Sequence, residues 1–193
     1  TNAGAKWFPI FDFETSIAFG QLAIDTKNPD VIYAGTGEAV VGAGQTYLGT
    51  GLYKSTDAGN SWRLMGLTDA GAFSKIYVSP NNSNLVYCAT IIGNGGVWKS
   101  VNAGESFVEI FDGEITDLIV NPNNDDELLL AENASSIRYS VNGGSTWTSR
   151  SNGVYDIRGR ISLAASLQDF NIMYCLVETG AGRDARIYKS TNK

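Results

Sequence analysis

The segment STDAGNSW, Ser55 to Trp62, returns as SVNAGESF from Ser100 to Phe107 and as SVNGGSTW from Ser140 to Trp147. Partial copies stand at TNAGAKW, Thr1 to Trp7, and at STNK, Ser190 to Lys193. With the third position as the ruler, the copies fall at Asn2, Asp57, Asn102, Asn142 and Asn192, spaced by 55, 45, 40 and 50 residues. A chain that repeats itself at this interval is an array of like units, each of which buries its apolar surface only against its neighbours.

Each unit reads as two apolar runs, a Gly-rich connection, a third run, the Ser-to-Trp box and a fourth run. In the first unit these are FGQLAID, VIYAG, GLYKS and WRLMG, and in the second FSKIYVS, LVYCAT, GVWKS and FVEIF. The third gives ITDLIVN, ELLLAE, SIRYS and WTSR, and the fourth RISLAAS, IMYCLVE and RIYKS. The links between first and second runs, TKNPD, PNNSN, PNNDD and LQDFN, hold the Asn, Asp and Pro clusters of tight reversals. The inner runs alternate incompletely, as strands buried on both faces do.

These features predict an all-β chain, a β-propeller of four-stranded antiparallel blades with about four blades present. Residues 1–11, through WFPIF, supply the outer strand of a preceding blade; 12–66, 67–111 and 112–150 are blades, and 151–193 is an incomplete one. Termini that fall inside boxes suggest a segment of a larger propeller, of about seven or more blades. A closed ring of four is the alternative, and it requires Trp7 to pack beside Ile187 and Tyr188. An open antiparallel sandwich does not require the box to return after each third strand.

A net charge of -6 and a pI near 4.6 oppose a nucleic-acid partner, which needs a basic face to neutralise phosphates. The sequence contains no His, which removes histidine general-base chemistry and His-ligated zinc from these 193 residues. No cofactor and no metal site is expected. No run reaches the roughly 20 apolar residues of a membrane span, and no signal peptide is visible. Cys88 and Cys175 stand in the matching strings VYCAT and MYCLV, two blades apart, and read as small apolar core side chains.

The box is read as scaffold. Asn2, Asp57, Asn102, Asn142 and Asn192 can accept backbone N–H bonds within their own turn, and Ser55, Ser100, Ser140 and Ser190 can add a hydroxyl bond. Gly4, Gly59, Gly104 and Gly144 supply backbone freedom. Trp7, Trp62, Phe107 and Trp147 are expected to be buried between sheets. The pattern SxDxGxxW resembles the Asp-box, or bacterial neuraminidase repeat, of sialidases, sortilin-type receptors and xyloglucanase-type glucan hydrolases. That resemblance covers essentially the whole chain and implies the propeller fold; the box is scaffold in all of these families.

If the box joins third and fourth strands, it shares a face with the turns joining first and second strands. The opposite face then carries the ligand-facing connections, with Asp12, Glu14, Glu38, Gln45, Tyr47, Asp69, Asp112, Glu114, Glu132, Asp156, Arg158, Glu178, Arg183 and Asp184. Its longest connection, Gly35 to Thr50, is either a binding lip or a packing surface. In the xyloglucanase type a catalytic aspartate follows the second strand in a string like YARTD. The matching strings YAGTGE and YCLVE place Glu38 and Glu178 there, and glycoside hydrolysis requires two opposed carboxyls. The sialidase arginine triad comes from separate blades, whereas Arg158, Arg160 and Arg183 crowd into one unit.

The function expected is an extracellular, cell-surface or periplasmic scaffold for glycan or protein recognition, with the remainder of a parent propeller or adjacent domains as further partners. A xyloglucanase-like glycoside hydrolase acting on a β-glucan and a purely structural module of a surface assembly are the alternatives. Direct membrane insertion by these residues is not expected.

Overall fold

A computed structural model describes residues 4–12, 14–16, 18–38, 47–180 and 184–192. Among them every regular element is a strand. β1 (Phe19–Ile24), β2 (Ile32–Thr36), β3 (Leu52–Ser55) and β4 (Arg63–Gly66) pair in chain order, antiparallel throughout. The same meander is made by β5 (Ala72–Val78), β6 (Val86–Ile91), β7 (Gly96–Ser100) and β8 (Val108–Asp112). It recurs in β9 (Ile115–Asn121), β10 (Asn124–Glu132), β11 (Ile137–Ser140) and the short β12 (Thr148–Ser149). The fourth sheet has three strands, β13 (Ile161–Ala165), β14 (Met173–Thr179) and β15 (Asp184–Ser190).

The sheets pack face to face through the side chains that each pleat directs to one side. Tyr33 and Leu52 of the first sheet meet Phe73, Ile76, Val78, Val86 and Cys88 of the second in one buried cluster. Tyr87, Ala89 and Val97 meet Ile115, Leu118, Val120, Leu128 and Leu130 of the third in the next. Leu129, Ala131, Ile137 and Tyr139 then meet Ile161, Met173, Cys175 and Val177 of the fourth. Each fully buried side chain of this kind is worth about 1.5–3 kcal/mol relative to its exposed state. The inner strands lie side by side in the order β1, β5, β9, β13, and polar groups join them. Ser74 Oγ donates to Ile115 O at 2.5 Å, and Thr116 Oγ1 donates to Ile161 O at 2.7 Å.

The box forms one turn three times over. Ser55 Oγ donates to Asp57 Oδ1 at 2.8 Å while accepting the Gly59 N–H at 2.8 Å, and Asp57 Oδ1 accepts the Ser61 N–H at 2.8 Å. Asn102 and Asn142 repeat this with Ser100, Gly104 and Ser106, and with Ser140, Gly144 and Thr146. Asp and Asn exchange freely here because the hydroxyl at the fourth residue beyond can reverse its role. Ser61 Oγ donates to Asp57 Oδ2, whereas Ser106 Oγ and Thr146 Oγ1 accept from the Asn102 and Asn142 amides. Gly104 and Gly144 both adopt φ +87, a left-handed conformation that a Cβ disfavours. Ser190 and Asn192 make the opening bond of the motif at 3.1 Å, and Asn2 lies outside the described residues.

Two expectations change. Trp62, Phe107 and Trp147 are only half-buried, Phe107 and Trp147 packing at the margins of the buried clusters, and Trp7 is 85% exposed. Residues 7–11 form no strand among the described residues, yet they occupy an outer-strand position. Trp62 Nε1–H donates to Ile10 O at 2.8 Å, as Trp147 Nε1–H donates to Ile110 O at 3.0 Å. Phe11 meets Trp62 edge-on at 5.0 Å, as Phe111 meets Trp147 at 5.6 Å. A strand needs a laterally bonded neighbour, and this segment packs on the first sheet without one.

Ile187 is 74% exposed, so it is not packed beside Trp7 as a closed four-sheet ring requires. Both cysteines are free and buried.

Candidate functional site

Backbone bonds separate the two ends of the sheet stack. At one end the boxes bond to the reversals between first and second strands: Ala58 N–H to Asp30 O, Ala103 N–H to Asn84 O and Gly143 N–H to Asp126 O, at 3.0, 2.8 and 2.9 Å. At the other end the bonds between described residues also run between links: Gly49 N–H to Gly71 O, Asn133 N–H to Glu114 O and Ala134 N–H to Gly159 O. Among the described residues, the carboxylates singled out in the sequence and Arg158 fall on this second end.

Their surroundings differ. The Glu38 N–H donates to Tyr47 O at 2.9 Å, closing the base of the long connection; residues 39–46, including Gln45, lie outside the described residues. Tyr47 is about half exposed, and Asp69 sits in an exposed turn closed by the Ala70 N–H to Leu67 O bond. Asp112 ends β8. Glu114 Oε2 accepts from Asn133 Nδ2 at 2.9 Å, and Asn133 Oδ1 is buried without a hydrogen-bond partner. Glu132 accepts from Ser136 Oγ at 2.9 Å and from Arg138 Nε at 3.4 Å. Asp12 and Glu14 flank the turn closed by Glu14 N–H to Phe11 O.

The fourth sheet gathers the densest group. Arg158 Nε donates to Asp156 Oδ1 at 2.6 Å. This bond, with help from the Gly180 N–H and the Arg186 charge, holds the Asp156 carboxyl below the usual carboxylate range. The backbone of Asp156 is left-handed at φ 57, a conformation that short Asx side chains tolerate. Glu178 Oε2 accepts the Arg160 N–H at 3.2 Å and lies over Gly159, whose missing Cβ would fall 2.4 Å from it. Paired backbone bonds at 3.0 Å, Arg158 N–H to Glu178 O and Glu178 N–H to Arg160 O, fix this arrangement. Asp184 opens β15 beside Gly180, and Arg183 lies outside the described residues.

Asp156, Arg158 and Glu178 thus share one rim, whereas Glu38 belongs to the first sheet with two complete sheets between. A residue passed over in the sequence joins the rim: Tyr155 is 68% exposed, its carbonyl held by Tyr188 Oη at 3.3 Å. The signal was the string VYDIR in a link longer than a reversal needs. An exposed phenol ring beside a carboxylate–guanidinium pair offers an apolar face and planar donors and acceptors in one place, a combination suited to a hydroxyl-rich ligand. Among the described residues, no three His, Cys, Asp or Glu side chains converge as metal ligands.

At the outer edge a cleft of about 720 Å³ opens between the third and fourth sheets, bordered by Arg150, Asn152, Tyr188 and Lys189. It opens where Arg150 replaces the apolar Met65 and Ile110 of the preceding outer strands.

No protein-family model matches the chain, and no curated protein matches it in sequence. Solved structures do. An ancestral GH74 enzyme superposes with a TM-score of 0.68 at 21% identity, over 92% of this chain and 23% of that one. The fold is that of a β-propeller segment.

The propeller likeness extends to the GH74 xyloglucanase of Xanthomonas campestris, at TM-score 0.67 and 14% identity, over 89% of this chain and 28% of that one. It extends also to an auxiliary nutrient binding protein of Bacteroides thetaiotaomicron, at 0.58 and 12%, over 91% and 43%. The chain spans about a quarter of the length of the two GH74 proteins. The four sheets are therefore about four blades, and identities of this order define the fold alone.

Proposed function

We propose that the chain is a propeller scaffold that recognises a glycan at the connection end of its fourth blade, in an extracellular or periplasmic setting. The observation that carries this reading is exposed Tyr155 set beside the Asp156–Arg158 pair and Glu178 on a rim fixed by backbone bonds. A xyloglucanase among the structural neighbours agrees with a carbohydrate ligand. The Ser-to-Trp turns are read as Asp-boxes, which the threefold recurrence of one bonding pattern supports. A hydrolase would need two facing carboxyls about 5–10 Å apart. Glu178 instead serves the turn at Gly159, and Glu38 stands in another blade.

The test is affinity electrophoresis and calorimetry of the chain on a panel of soluble β-glucans and other polysaccharides, with reducing-sugar release measured in parallel. Binding is expected without hydrolysis. Tyr155→Ala and Arg158→Ala are each expected to weaken it about tenfold or more, as truncation of a binding hot spot does, with unchanged circular dichroism. Absence of binding to every polysaccharide overturns the glycan reading. Sugar release lost in Glu178→Gln or Glu38→Gln overturns the non-catalytic one.

A further inference from the structure

Asparagine is followed by glycine at Asn94 and Gly95, at Asn142 and Gly143, and at Asn152 and Gly153. Such a pair can react with itself, because glycine has no Cβ to hold its nitrogen away from the preceding side-chain amide. The three pairs are alike in sequence and differ in their surroundings. Asn142 is locked in its box. Its Oδ1 accepts the Ser140 hydroxyl and the Thr146 N–H, both at 2.9 Å, and its Nδ2 donates to Thr146 Oγ1 at 2.8 Å. The Gly143 N–H donates to Asp126 O at 2.9 Å, so both groups that would react are engaged. Asn94 is exposed, but Gly95 is buried. The Gly95 carbonyl accepts the Gly113 N–H at 3.1 Å, and the Gly96 N–H donates to Thr90 Oγ1 at 3.0 Å. A Cβ on Gly95 would fall 2.8 Å from Gly113 O, so this nitrogen is shielded from solvent base.

Asn152 and Gly153 are both exposed, at the tip of a turn closed by the Val154 N–H to Ser151 O bond at 2.9 Å. Gly153 has φ +85, as the third residue of a type II turn requires, and a Cβ there would meet nothing within 4 Å. Among the described residues, neither the Asn152 amide nor the Gly153 N–H has a hydrogen-bond partner. This exposure belongs to the turn and not to its place in the chain. The corresponding turn after β4, closed by the Ala70 N–H to Leu67 O bond at 3.2 Å, lies between two four-stranded sheets and still exposes Thr68 and Asp69.

We propose that Asn152 is a site of spontaneous covalent modification, converting through a cyclic imide to aspartate and isoaspartate, with Asn94 slower and Asn142 protected. The Gly153 nitrogen loses its proton to hydroxide and attacks Asn152 Cγ. The N–Cγ bond forms and the Cγ–Nδ2 bond breaks, Nδ2 taking a proton from water and leaving as ammonia. A water molecule then opens the ring. Opening at the side-chain carbonyl gives aspartate; opening at the backbone carbonyl gives isoaspartate, whose main chain runs through Cγ. Either product adds a negative charge to the link that carries Tyr155 and Asp156.

Incubation of the chain at mildly alkaline pH tests this, with peptide mass mapping at intervals and enzymatic methylation to detect isoaspartate. Conversion is expected first at Asn152, at least about a hundredfold faster than at Asn142, where several hydrogen bonds must open before reaction. Asn94 is expected to fall between them. In urea sufficient to unfold the chain, the three rates are expected to converge, because the local sequence is then all that distinguishes the sites. The acidic species that grows on isoelectric focusing is expected to vanish in Asn152→Gln and to persist in Asn94→Gln. Conversion at Asn152 as slow as at Asn142 in the folded chain overturns the proposal, as does a folded order of rates that is kept in urea.

Discussion

The indole N–H of Trp147 reaches across to the carbonyl of Ile110 in the preceding blade, 3.0 Å away, and leans on the ring of Phe111. Trp62 treats Ile10 and Phe11 identically. Where the outer strand has Gly66 in the Phe111 position, the box that follows ends in Phe107, which has no N–H to donate. The aromatic of each box thus matches the outer strand of the blade before it. Trp147→Phe, which keeps the ring and loses the donor, is expected to lower stability by about 1 kcal/mol. The measurement is the urea midpoint; a midpoint equal to that of wild type would assign the whole contribution to ring packing.

Among the three complete boxes, acid should act on the third position of the first alone. Hydrogen bonds from Ser61, through its hydroxyl and its N–H, and then from Ser55, lower the Asp57 carboxyl from 3.8 to about 2. A depressed folded-state value means that the stabilising effect is complete above the unfolded value and lost as pH falls from about 4 through about 2. Asn102 and Asn142 make the equivalent bonds without titrating. The melting temperature of wild type is expected to fall relative to that of Asp57→Asn between about pH 5 and pH 2. A constant difference across that range would remove Asp57 from the acid response.

Gly71 is fixed by two constraints at once. Its φ is +88, and a Cβ would fall 1.8 Å from Ile92 O. Gly66, at φ +109, has open space around the same position. Gly71→Ala is expected to cost at least about 3 kcal/mol and Gly66→Ala about 1 kcal/mol, the second from backbone conformation alone. Equal losses in denaturant titrations would show that crowding at Ile92 is relieved by loop movement.

Thr116 joins the third and fourth blades through buried polar atoms. Its hydroxyl donates to Ile161 O at 2.7 Å and accepts the Ile161 N–H at 3.3 Å. Thr116→Val preserves shape and leaves both groups unsatisfied, at an expected cost of about 1–3 kcal/mol. Thr116→Ser is expected to retain most of the stability. A Val variant as stable as the Ser variant would show that these groups find other partners.

The sequence alone determined the repeat, the strand order and which end of the stack each connection occupies. These depend on turn chemistry and on apolar periodicity, and both are local in the chain. Ser55, Asp57 and Gly59 lie within five consecutive residues, so their spacing already contains the turn. What the tertiary structure decided are the relations between blades. That Tyr155 joins Asp156, Arg158 and Glu178 on one rim while Glu38 stands three blades away depends on how β13 and β14 register and on where the link at 150–160 folds. The half-burial of Trp62 and Trp147 and the cleft beside Arg150 likewise arise only when one sheet is set against another. Pleat and turn fix which side a residue faces; the neighbouring sheet determines whether anything meets it there.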